Sequence, residues 1–134
     1  MSNYLIGHTI KQIKIADDKK ALLFITDKEE IIVKVDGDCC SSTWIENIEL
    51  PVNGLSALVI STEDLHMPDL GSPDKYDVIA YYGFKIMTDK GDIIIDYRNE
   101  SNGYYGGSLH FPDDKYYYGG VYRQNISTLN WIDL

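Results

Sequence analysis

Short apolar runs, each alternating with polar residues and each cut off by turn-forming residues, constrain the fold of this chain more than any other feature. Thr9 to Ala16 alternates, with Ile13 and Ile15 on its apolar side, and Asp17-Asp18-Lys19 follows as turn chemistry. Ala21 to Thr26 reads as a second strand and Asp27 to Glu30 as a second turn. Ile31 to Val35 reads as a third strand, with Ile31, Val33 and Val35 on one face. Three short strands joined by tight polar turns form an antiparallel meander.

After Val35 the pattern changes. Asp36-Gly37-Asp38 is a turn, and Thr43 with Glu46 has capping-box spacing, so a short helix is predicted from Trp44 through Ile48, stopped by Pro51. Ala57 to Ser61 reads as a strand, and Leu65 to Lys75, with Pro68, Gly71 and Pro73, reads as a loop. Tyr76 to Tyr82 and Phe84 to Thr88 flank Gly83 as a bulge or bend. Asp89-Lys90-Gly91-Asp92 is a hairpin turn and Ile93 to Arg98 the returning strand. A Gly- and Tyr-rich loop, Asn99 to Gly107, leads into Ser108 to Phe111. Tyr116 to Tyr122 reads as a last strand, and the tail after Asn125 places Ile126, Leu129 and Ile132 near helical spacing. The expected fold is α+β or mainly β: one domain over residues 1–134, its antiparallel sheet curled into a sandwich or open barrel, with one short helix near residues 44–48.

At 134 residues and 44% apolar composition, such a domain builds a core without disulfides or metals. Cys39 and Cys40 are the whole thiol inventory, and neighbours in sequence bridge only with strain, so a reducing compartment is expected. No apolar run is long enough to span a membrane and no basic-then-apolar leader opens the chain, which points to the cytoplasm.

The net charge of −9 is unevenly distributed. Residues 36–74 hold Asp36, Asp38, Glu46, Glu49, Glu63, Asp64, Asp69 and Asp74 and no lysine or arginine. An anionic surface repels phosphate backbones and acidic lipid, so direct contact with nucleic acid or membrane is disfavoured and a basic partner favoured.

Motifs of known chemistry are mostly excluded by their spacing. Asp36-Gly37-Asp38 opens like a calcium loop, but Cys40, Ser41 and Asn47 stand where an EF-hand needs an oxygen ligand, Gly and Glu. Zinc spacing is lacking around the cysteines and the three histidines, and no metal or other cofactor is expected. Cys40 just before the predicted helix is a conceivable thiol nucleophile, with His8, His66 or His110 as base. No Ser-His-Asp set, paired-carboxylate catalyst or G-x-S-x-G stands out, so the expectation leans away from an enzyme. Arg98, Asn99, Asn102, Tyr104 and Tyr105, in the stretch running to Gly107, combine a planar cation, amides and aromatic rings, a pattern suited to a small anion or nucleotide.

Gly37-Asp38-Cys39-Cys40-Ser41-Ser42-Thr43-Trp44, and Tyr97-Arg98-Asn99 with Ser101-Asn102-Gly103-Tyr104-Tyr105-Gly106-Gly107, resemble a family of small uncharacterised proteins of bacteriophages and prophages of low-GC bacteria. The similarity runs from Gly7 to about Phe111 and supplies no catalytic residues. It implies a viral setting inside a bacterial host cell, where small acidic proteins often antagonise host systems that handle nucleic acid. The leading expectation is a non-enzymatic protein that presents the acidic stretch to a basic surface of a host protein, in the manner of an inhibitor of a defence system. The alternative is a domain sequestering a small molecule or nucleotide through the Arg98 to Gly107 loop, with a homodimer interface as one setting for that pocket.

Overall fold

The computed structural model describes residues 3–37, 42–66, 78–101, 107–114 and 130–134. Among them are nine strands and no helix. The strands are β1 (Thr9–Ala16), β2 (Ala21–Thr26), β3 (Glu30–Gly37), β4 (Ser42–Glu49), β5 (Ala57–His66), β6 (Val78–Thr88), β7 (Gly91–Ser101), β8 (Gly107–His110) and β9 (Trp131–Asp133). They form one antiparallel sheet in the order β4-β7-β6-β5-β1-β2-β3-β8, with β9 added beside β1. No helix among the described residues is long and apolar enough to cross a membrane.

The expected α+β fold is thereby corrected to an all-β one, because residues 44–48 lie inside β4. The cause is a bulge. Ile45 pairs with Tyr97 and Asn47 with Asp96, leaving Glu46 as an extra residue on β4. The two apolar residues that face inward, Ile45 and Ile48, are therefore three apart instead of two, which imitates one turn of a helix. The apparent cap is also spent otherwise: the Thr43 hydroxyl donates to Asn99 Oδ1 at 2.8 Å, and the Glu46 carboxylate accepts from the Trp44 indole at 2.8 Å.

The same device recurs twice. A register shift between Ile10 and Gln12 lets Ile10 and Ile13 both point into the core, and another between Val59 and Ser61 does so for Val59 and Thr62. Each bulge bends its strand and adds right-handed twist. The sheet consequently wraps one buried cluster, built from Ile10, Ile13, Leu22, Phe24, Ile31 and Val33 on the meander side and Ile45, Phe84, Ile86, Ile93 and Ile95 opposite.

Several boundaries also move. Leu65 and His66 extend β5, β6 runs through Gly83 without a break, and Asn99 to Ser101 continue β7 instead of opening a loop. β6 and β7 meet in a tight hairpin at Asp89-Lys90, where Thr88 pairs with Gly91. Gly91 has φ +122°, a conformation that side chains rarely adopt. The strand expected over Tyr116 to Tyr122 lies outside the described residues.

The curl brings the two ends of the strand order together. At Gly107 on β8, a Cβ would sit 2.8 Å from Thr43 Oγ1, 2.9 Å from Thr43 Cγ2 and 3.0 Å from Asn99 Cβ, so β8 lies directly on β4 and β7 only because this residue has no side chain. The β1–β2 turn ties down the same strand: Ile45 N–H donates to the Lys19 carbonyl at 2.8 Å, and the Lys20 ammonium donates to the Thr43 carbonyl.

Gly107→Ala is expected to lower stability by about 1–3 kcal/mol through overpacking. Thr43→Ala alone is expected to cost about 1–3 kcal/mol by removing a donor to buried Asn99. Denaturant unfolding of the double variant is expected to show a loss smaller than the sum by at least ~0.5 kcal/mol, since the smaller residue makes room for the new methyl; strict additivity contradicts the contact.

Candidate functional site

Beside Gly107 a cleft of about 670 Å³ lies between β8 with its following turn and the inner face of β5, β6 and β7. Strand alternation decides what lines it. Tyr82 pairs with Tyr97, and Phe84 pairs with Ile95 on one side and Asp64 on the other, so these side chains share the inward face. Tyr82 and Tyr97 stack with centroids 5.2 Å apart, and Phe84 meets Phe111 at 5.4 Å. From β8 and its turn come Leu109, His110, Asp113 and Asp114. Asp64, Asp113 and Asp114, a stacked phenol pair and an apolar floor thus line one space, and each of the three acidic residues already takes part in a polar or electrostatic contact.

Such a lining attracts cations. Asp64, Asp113 and Asp114 supply negative potential focused by low-dielectric walls, and tyrosine rings receive a guanidinium or ammonium on their faces. His110 Nδ1 donates to Asp114 Oδ2 at 2.8 Å, which fixes the ring against the turn. This is the orienting half of a general-base pair, and no hydrogen bond joins the Ser108 hydroxyl on the same strand to the imidazole. Among the described residues, no group of three or more His, Cys, Asp or Glu is placed to hold a metal ion.

Among the described residues singled out in the sequence, Asp64 and His110 line the cleft. Among the described members of the acidic set, Asp64 alone lines the cleft. Glu63, Lys85, Ile94 and Glu49 form one row across β5, β6, β7 and β4 on the opposite, outward face. Glu46 lies 3.5 Å from Arg98, and Lys85 lies 3.5 Å from Asp92. On this outward face Lys85 and Arg98 therefore sit among the described carboxylates. Asp36 lies on β3 opposite Ser108; Asp38, Asp69 and Asp74 lie outside the described residues, as do Cys39 and Cys40.

Two members of the alternative set, Arg98 and Asn99, are described, and they face opposite ways. Asn99 is fully buried on the inward face, bonded to Thr43, whereas Arg98 points outward over the Tyr81 ring at 4.5 Å and pairs with Glu46 and Asp96. Consecutive strand residues face opposite ways, so these two cannot grip one ligand. Asn102, Tyr104 and Tyr105 lie outside the described residues. What sequence reasoning missed is Tyr82, Tyr97, Asp113 and Asp114. The available signal was Pro112-Asp113-Asp114 directly after a strand ending in His110-Phe111.

Burial pushes the Tyr97 phenol above its ordinary value of 10.0, and the nearby Asp64 and Tyr82 add to the rise. The folded chain then keeps a proton that the unfolded chain loses, so this stabilisation is intact below pH ~10 and declines as pH rises beyond it. In denaturant titrations on either side of that pH, Tyr97→Phe is expected to lose stability less steeply than the wild type; parallel slopes contradict the burial of this hydroxyl.

Neither the curated proteins nor the solved structures yield a match to this chain. One family model does, described as "Domain of unknown function (DUF7448)", and it covers residues 3–111. That span takes in the described parts of β1 to β8 together with the inward-facing wall of the cleft, Asp64, Tyr82, Phe84 and Tyr97, and stops at Phe111, just before Asp113 and Asp114. The chain belongs to this DUF7448 family.

Proposed function

We propose that the chain is a non-enzymatic binding protein whose cleft takes up cationic side chains from the basic surface of a partner protein. One observation carries this reading: Asp64, Asp113 and Asp114 open onto the same cleft as the stacked Tyr82 and Tyr97. Carboxylates supply the long-range attraction, and the rings supply flat, weakly hydrated contact for a guanidinium group. The outward acids Glu49 and Glu63 contribute to steering, since an overall charge of −9 raises the encounter rate with any basic surface.

The family resemblance noted in the sequence supports an infected or lysogenic bacterial cytoplasm as the setting of this activity. There the partner is a host protein whose lysine and arginine cluster ordinarily engages phosphates, and occupying that cluster would antagonise its handling of nucleic acid. The opposed directions of Arg98 and Asn99 speak against the nucleotide-sequestering alternative.

Hexa-arginine is the simplest probe of the cleft. Titration followed by tyrosine fluorescence is expected to show binding that weakens about tenfold or more between roughly 20 and 300 mM salt. Replacing Asp113 and Asp114 together by Asn is expected to weaken it by about tenfold as well, while replacing Glu49 and Glu63 by Gln changes it less than about threefold. Equal losses from the two pairs contradict the cleft as the binding site.

A further inference from the structure

The cleft has a wall that the preceding reading leaves unused, the edge of β8. Val35 donates its N–H to the Lys20 carbonyl at 3.0 Å, on the β2 side of β3. Main-chain groups alternate in direction along a strand, so those of Lys34 and Asp36 point the other way, toward β8. Their partners in register are His110 and Ser108. Gly107 and Leu109 therefore turn their N–H and C=O groups away from β3, toward the side on which no further strand follows among the described residues. Both residues line the cleft.

An unpaired strand edge is a template for another strand, and proteins usually blunt it with a covering element or an edge lysine. This one carries neither of those among the described residues; instead it borders carboxylates and aromatic rings. We propose that the partner segment enters as an extended strand that pairs with β8 at Leu109, placing alternate basic side chains against Tyr82, Tyr97 and the Asp64, Asp113 and Asp114 carboxylates. Main-chain bonds to the edge would supply affinity, and the alternating pockets would supply selectivity for a basic-x-basic pattern. The occupant is cationic and extended rather than a second copy of this chain, because two chains of charge −9 repel each other. This inference rests on the cationic reading of the cleft and adds to it a backbone geometry.

The test uses the full chain and the peptide acetyl-Arg-Val-Arg-Val-Arg-amide, compared with two versions N-methylated on the odd or on the even backbone nitrogens. A strand paired along one edge donates from only one of those sets. One methylated version is therefore expected to bind about tenfold or more weakly, while the other binds within about threefold of the parent. Amide exchange at Leu109 is expected to slow when the parent peptide is bound. If both methylated versions bind like the parent, and the Asp113 and Asp114 double replacement still weakens all three, strand addition is overturned while the cationic cleft stands. If the parent peptide does not bind at all, both readings fall.

Discussion

The rest of the structure depends on one close approach, that of Gly107 to Thr43 and Asn99. A Cβ at this position would collide with the Thr43 side chain at 2.8–2.9 Å, so the last strand of the sheet order reaches the first only through the residue type with nothing to collide. The Thr43–Asn99 hydrogen bond beneath it satisfies two buried polar side chains, and a hydrogen bond in that setting is far more costly to break than its net value on folding suggests. Three bulges, in β1, β4 and β5, supply the bending that brings these groups within reach.

The cleft follows from the same geometry. Two sheet ends that met along their whole length would close a barrel and leave no edge. Here they touch at Gly107, and beside that contact inward-facing side chains of β6 and β7 line a groove. Tyr97, only 6% exposed, shows the transition: it packs with the core yet stacks on Tyr82 at the groove wall. The cation binding proposed for this cleft thus draws on side chains of the inward face of the sheet.

This also explains what the sequence could and could not reveal. The meander of β1 to β3 was legible because alternation and turn residues coincide there, as in Ile31, Val33 and Val35. The helix expected at Trp44 to Ile48 was a bulge in disguise, since an inserted residue converts a spacing of two into one of three, and no local signal separates the two cases. The Arg98–Asn99 pair looked like a ligand grip because chain neighbours are neighbours on paper, whereas a strand sends them to opposite faces. Asp64 was noticed for its charge among eight acids. Its partners in the cleft, Asp113 and Asp114, are far away in sequence and meet it only through the curl.

The meeting of the two sheet ends is measured most directly by proton–proton Overhauser contacts in solution. Cross-peaks are expected from the Gly107 α-protons to the Thr43 methyl and to the Asn99 β-protons. A well-folded chain that gives the β3–β8 register contacts but none between Gly107 and Thr43 would mean that the sheet stays splayed, and the seam, its groove and the binding chemistry assigned to it would have no basis.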